Sequence, residues 1–238
     1  MFCAPQQLLS GARALLTARA RPVYLLSEVA AMPFKITMYS DFICPFCYIG
    51  FEVFRKLKPE FDLELDWRGF QIHPEWPAEG MPAAQWRNGM DADTRRAIWE
   101  RIKAMAVAAG FEMKAPETLT NSRLALEAAE FAKEAGAGEA FEERVYRAYF
   151  YEGRNIGSQA VLADLAADVG LSRDDLNLAL ESNRYSLRLK NNSLIAHRNG
   201  VSGVPTFFIG DYPLVGAQSE DVMRQVLQRV SQRLAAAK

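Results

Sequence analysis

Histidine and cysteine are scarce in this chain, with two of the first and three of the second among 238 residues. Three cysteines cannot staple a disulfide-dense scaffold, and so few histidines leave a zinc cluster short of ligands, so no metal site is expected. Charge of either sign in excess is also missing. Lys and Arg together number 28 and Asp and Glu 29, a formal net charge of −1. That balance carries no electrostatic footprint for nucleic acid or an anionic membrane. No apolar run approaches the roughly 20 residues of a bilayer-spanning helix. What is present is a globular mixture, 50% hydrophobic and 24% charged, rich enough to bury a core. At about 150 residues per domain, the length suits one large domain or a small domain with an insertion.

Residues 1–32 differ from the rest. Arg13, Arg19 and Arg21 stand against the single acid Glu28, and the arginines interrupt the apolar patches, so a clean secretory h-region is missing. A cytoplasmic location is therefore the expectation. The segment reads as a stretch ahead of a true start at Met32, as a targeting peptide, or as an ordered helical extension. Cys3 within it is assigned no chemistry.

From Phe34 the pattern becomes regular. Phe34–Tyr39 alternates as a strand, Tyr48–Leu57 has helical spacing with Pro59 just past its end, and Leu63–Trp67 alternates again. A β–α–β order with this crossover predicts parallel, right-handed pairing. After His73-Pro74 the character turns helical. Residues 92–109 place Ile98, Ile102, Met105, Ala106 and Ala109 on one face, with Gly110 as a stop. Helices are expected over 122–135, 139–151, from a Ser158 cap to Gly170, after a Ser172/Asp175 capping box, and over 183–198. Strand signals return at Pro205–Ile209 and Pro213–Val215 around a Gly210-Asp211 turn. A closing helix over 219–235 has Val222, Val226, Leu227 and Val230 facing inward. The expected organisation is an α/β fold whose two parts, 33–74 and 200–238, flank a helical insertion over 75–199.

Cys44-Pro45-Phe46-Cys47 stands where the first strand gives way to a helix. The first turn of a helix has unpaired N–H groups and partial positive charge, which stabilise a thiolate and lower a thiol's pKa. Pro45 suits the first helical position because it has no N–H to leave unpaired. Cys44 is expected as the exposed attacking thiol and Cys47, one turn deeper, as the resolving one. Half a zinc site or two inert buried cysteines are the alternatives, and the absence of a second Cys pair counts against zinc. A second element, Gly203-Val204-Pro205-Thr206, precedes a strand. Proline there is a candidate for a cis bond in a tight turn facing the CxxC, with the Val204 backbone presented to a bound thiol or peptide.

Three further stretches complete a pattern: Ser40 to Gly50 around the CxxC, Tyr149 to Ile156, and Val201 to Phe208 with Gly216-Ala217-Gln218. On these residues the sequence resembles the DsbA-like branch of the thioredoxin superfamily, more closely the FrnE group. That group is similar to 2-hydroxychromene-2-carboxylate isomerases and kappa-class glutathione transferases. The resemblance spans about residues 33–235. It implies a thioredoxin fold with a large inserted all-helical domain, a cis proline at Pro205, and thiol–disulfide exchange. The substrate would be a thiol or disulfide, protein or glutathione. No tightly bound cofactor is implied, and glutathione enters as a co-substrate.

The chain departs from its relatives in places. Phe46 replaces the histidine of the strongly oxidising members and cannot stabilise a thiolate as histidine can. Leu126 stands about where the family often carries a histidine. Asn121 could contact a glutathione-like ligand or cap a helix. Serine at the first active-site position marks the isomerase and transferase relatives, and Cys44 argues against their chemistry. A glutathione-dependent isomerase or transferase for an aromatic small molecule is thus the alternative function, and a redox-sensing binding or chaperone-like protein a third. His73 and His197 read as structural, and Trp67, Phe70 and Trp76 as core residues that could instead line a groove. An exposed Phe46 could meet apolar substrate. Asp41 could take a proton in the exchange or cap the turn. Sequence does not give the oligomeric state.

Overall fold

The computed structural model describes residues 34–86 and 89–236; the expectations for residues 1–32 fall outside the described residues. Strand β1 (Phe34–Ser40), helix α1 (Pro45–Phe61) and strand β2 (Leu63–Gly69) open the fold. β1 and β2 run parallel, from Phe34 opposite Leu63 to Ser40 opposite Gly69. After a long helical stretch come β5 (Thr206–Ile209), β6 (Tyr212–Val215) and α8 (Glu220–Ala236). β5 lies antiparallel to β1 and β6 antiparallel to β5, giving the sheet order β2-β1-β5-β6. α8 packs against α1.

Between β2 and β5 the chain forms β3 (Met81–Pro82), α2 (Ala92–Ala108), β4 (Thr118–Leu119), α3 (Arg123–Glu134), α4 (Gly138–Phe150), α5 (Gln159–Asp168), α6 (Arg173–Glu181) and α7 (Ser186–Arg198). β3 and β4 pair antiparallel. Sequence reading misses this ribbon because two residues carry no period. One continuous core joins the sheet to the helices, with Met38, Phe54, Trp67, Leu126, Phe141 and Leu165 in the same cluster.

Gly50 sits in the interior of α1, where glycine costs roughly 0.5–1 kcal/mol against alanine. Its use is steric. A Cβ there would lie 3.1 Å from the Phe207 ring and 3.4 Å from Pro205 Cγ, so glycine lets the helix approach the loop that carries Pro205.

Four expectations need correction. Pro59 lies inside α1 and does not follow it. A proline in the last turn forfeits one backbone bond, and the turn is held by core contacts of Leu57 and Phe61. The helix stops at Asp62, in left-handed conformation, whose N–H donates to the Lys58 carbonyl. α7 starts at Ser186 and not at 183, because Asn183 takes a positive φ of 52°. On α8 the inward stripe is Met223, Leu227 and Val230, while Val222 is exposed. Ile98 leaves the expected core face of α2 and is 39% exposed.

Candidate active site

Cys44 is the N-cap residue of α1, extended at φ −90° and ψ 115°, and Pro45 follows it in the first turn. The Cys44 carbonyl accepts from the N–H of Cys47 at 3.0 Å and of Tyr48 at 3.3 Å, which winds the CxxC into the helix. Both thiols are free. Cys47 is wholly buried, and Cys44 is only 6% exposed, so the expected exposed attacker is in fact recessed. It opens onto a cavity of about 310 Å³.

The Cys44 thiol donates to the Val204 carbonyl at 3.7 Å. The Val204–Pro205 peptide is cis. Its loop is braced on both sides. Thr206 Oγ1 donates to the Gly203 carbonyl at 2.7 Å, and the Gly216 N–H to the Pro205 carbonyl at 2.8 Å. The Gly216-Ala217-Gln218 stretch thus begins by fastening the back of the proline loop.

Under the sulfurs lies a buried polar group. The Asp41 N–H donates to Cys47 Sγ at 3.5 Å. Ser40 Oγ and Tyr146 Oη share a 2.5 Å hydrogen bond. Burial pushes the Cys47 thiol well above its ordinary pKa, and the neighbouring Cys44 adds to this, while the Ser40 hydroxyl and the Asp41 N–H oppose it. Burial likewise raises the Asp41 carboxyl to about 6, against the N–H of Ile72 and that of Ile43, which lower it. The two bonds measure 2.8 Å to Oδ2 and 3.4 Å to Oδ1. The carboxyl therefore ties the CxxC turn to the segment after β2. Sequence gives no sign of Tyr146 here, since no local signal links it to Ser40 at a separation of 106 residues.

The cavity beside Cys44 is lined by Trp76, Trp86 and Trp99, with Phe46, Ile98 and Met90 completing much of its apolar wall. His73 and Arg95 also line it. The His73 ring stacks on Trp76 at 4.1 Å and 4°, and its Nδ1 is 2.7 Å from Glu75 Oε1. Phe46 is 37% exposed. Of the aromatic residues considered from sequence, Trp76 faces the cavity, Trp67 stacks on Phe42 in the core at 4.7 Å, and Phe70 packs in a separate small cluster. His197 packs edge-on against Phe70.

Asn121 stands apart from the sulfurs in its bonding. Its Nδ2 donates to the carbonyls of Trp76 at 2.7 Å and Pro74 at 3.1 Å. Its Oδ1 accepts from Gln71 Nε2 at 2.7 Å and from the Arg123 N–H at 2.9 Å. It caps the start of α3 and moors the Trp76 segment. Leu126 is wholly buried. Among the described residues no group of three or more His, Cys, Asp or Glu could hold a metal, and no helix is long and apolar enough to cross a membrane.

A CxxC cysteine pair at the start of a helix on this sheet, faced by a cis-proline loop and interrupted by helices, defines a class, and comparison places the chain in it. The family model of the DSBA-like thioredoxin domain matches residues 35–228, and the chain belongs to that family. It is 32% identical over 200 residues to YwbO of Bacillus subtilis, an uncharacterized protein, covering 82% of this chain and 96% of that one. A probable DsbA oxidoreductase from Streptomyces coelicolor superposes with a TM-score of 0.77 at 25% identity, covering 83% of this chain and 90% of that one. The cytosolic disulfide reductase DsbM of Pseudomonas aeruginosa shares the fold at a TM-score of 0.63 and 18% identity, over 84% and 99% of the two chains. A 2-hydroxychromene-2-carboxylate isomerase also shares it, with a TM-score of 0.69, 20% identity and coverage of 86% and 99%. Family membership supports an enzyme of oxidoreductase or isomerase kind.

Proposed function

We propose that the protein is a dithiol–disulfide oxidoreductase. The observation that carries the reading is the placement of Cys44: it caps α1, donates to the Val204 carbonyl, and opens onto a cavity while Cys47 is sealed beneath. The Cys44 thiolate attacks one sulfur of a substrate disulfide. A Cys44–substrate disulfide forms, and the departing thiolate takes a proton. Cys47 then attacks the Cys44 sulfur, releasing the second substrate thiol and leaving Cys44–Cys47 oxidised. Two electrons pass from the enzyme to the substrate, and the reverse sequence oxidises a dithiol. The resolving step needs a base, because burial holds the Cys47 proton tightly. The Asp41 backbone N–H on Cys47 Sγ opposes that burial and favours the thiolate as it forms. Pro45 starts the helix behind the attacking sulfur, and Phe46 stands at the cavity edge. The Val204 backbone and Pro205 face the mixed disulfide. Glutathione is the proposed re-reducing thiol in a cytoplasmic setting, in keeping with the DsbM structure solved with GSH.

The test is a pair of variants. Cys44→Ser is expected to abolish exchange, and Cys47→Ser to accumulate mixed disulfides seen by intact mass. Full reductase activity in Cys44→Ser would overturn the mechanism. So would a wild-type protein that exchanges no disulfide but isomerises an aromatic substrate with glutathione.

A further inference from the structure

The wall opposite Cys44 says what kind of disulfide fits, on the reading just proposed. Cys44 is 6% exposed, so a reacting sulfur must enter the cavity to reach it. The cavity measures about 310 Å³. An apolar cavity of roughly 150 Å³ holds benzene, and small-molecule sites begin near 300 Å³, so there is room here for one substituted ring and its sulfurs. The walls are aromatic: Trp76 lies flat against His73, and Trp86 meets Trp76 edge-on at 5.3 Å and 78°. Such surfaces favour a ring, by stacking or edge contact. No carboxylate lines the cavity among the described residues, whereas Arg95 does, its Nη1 bonded to the Met90 carbonyl at 2.5 Å. An extended peptide would bring an N–H and a carbonyl per residue against a wall that is mostly indole and aliphatic carbon, at a cost for each unmatched group. The geometry points to a low-molecular-weight aromatic disulfide carrying a negative charge as the substrate, its ring among Trp76, Trp86 and Trp99 and its charge toward Arg95.

The step balances as before: Cys44 displaces one aromatic thiolate, Cys47 displaces the other, and the aromatic disulfide leaves as two thiols. Selectivity is read with 5,5′-dithiobis(2-nitrobenzoate) against bis(2-hydroxyethyl) disulfide, glutathione disulfide and insulin disulfides. Each rate is divided by that of dithiothreitol on the same compound, which removes leaving-group differences. A normalised preference of at least about tenfold for the aromatic compound is expected, falling about tenfold in Trp86→Leu and in Trp99→Leu. Arg95→Gln should lower the preference for the carboxylate compound over uncharged dithiodipyridine by about threefold. Unfolding midpoints confirm that the variants fold. A second readout needs no chemistry: in Cys44→Ser, 5-methylthio-2-nitrobenzoate should quench tryptophan fluorescence saturably. Exchange of glutathione or insulin disulfides without aromatic preference, or preference untouched by both tryptophan variants, overturns the substrate class alone. Saturable binding with no exchange of any disulfide by the wild type overturns the oxidoreductase reading instead.

Discussion

The segments Phe34–Gly69 and Thr206–Ala236 build the sheet and hold both cysteines, and the loop ahead of β5 supplies the carbonyl facing Cys44. The stretch between β2 and β5 holds no cysteine, yet Trp76, Trp86 and Trp99, the tryptophans that wall the cavity, come from it. In the function proposed, one region carries the electron chemistry and the other shapes what reaches it. On that proposal reactivity and selectivity are separable: the tryptophan wall comes from the helical stretch and the sulfurs do not. They are not separate in stability, because one core runs through both.

The sharpest way to break that last statement is Leu126→Ala. Leu126 is wholly buried on α3 and packs at Gly69, the end of β2, where a Cβ would lie 3.2 Å from its Cδ2. The loss should be about 3 kcal/mol in denaturant unfolding, through a single transition with unchanged slope. Two transitions would show that the helical stretch unfolds alone.

Asp41→Asn comes next. The folded carboxyl titrates near 6 against 3.8 ordinarily, because burial disfavours its charge. Between those values the native chain keeps a proton that the unfolded chain has released, so stability falls as pH rises through the window. The contribution is present below 3.8 and lost above 6. The variant should therefore be more stable at neutral pH by about 3 kcal/mol, with the gain vanishing near pH 4. Resolution by Cys47 should keep its rate within a few-fold, because the backbone N–H on Cys47 Sγ survives the substitution. A variant no more stable than the wild type at neutral pH would contradict the buried, raised carboxyl.

Gly50→Ala acts on the seam between helix and proline loop. Better helix propensity offsets part of the crowding against Phe207 and Pro205, leaving a loss of about 1 kcal/mol and a several-fold slower exchange as Val204 shifts. Phe46→Ala should matter least. Stability should stay within about 0.5 kcal/mol, because the ring is 37% exposed, and exchange with an apolar disulfide should fall two- to threefold, to be measured by stopped flow. A larger loss would move selectivity from the helical stretch into the CxxC turn.

The two regions also differ in how far sequence reveals them. The sheet frame was legible, because alternation at Phe34–Tyr39 and Leu63–Trp67 and the Cys44/Cys47 spacing are local signals. Most helices of the insertion were legible by period and by glycine stops. Their mutual placement was not, since Trp86 and Trp99 carry no mark that they converge on Cys44. Ile98 misled for the same reason: its helical spacing reads as core, and the face it occupies lines a cavity. The recess of Cys44 was hidden because burial of a helix N-terminus depends on what packs over it. The Ser40–Tyr146 bond, too, exists only once the chain has folded.

The central claim is that Cys44 and Cys47 form a working redox pair. Titrating the purified protein in glutathione buffers, with alkylation and intact mass counting free thiols at each potential, tests it directly. The account predicts a reversible two-electron transition confined to these two cysteines, abolished in either serine variant. Free thiols at both positions across every accessible potential would contradict it.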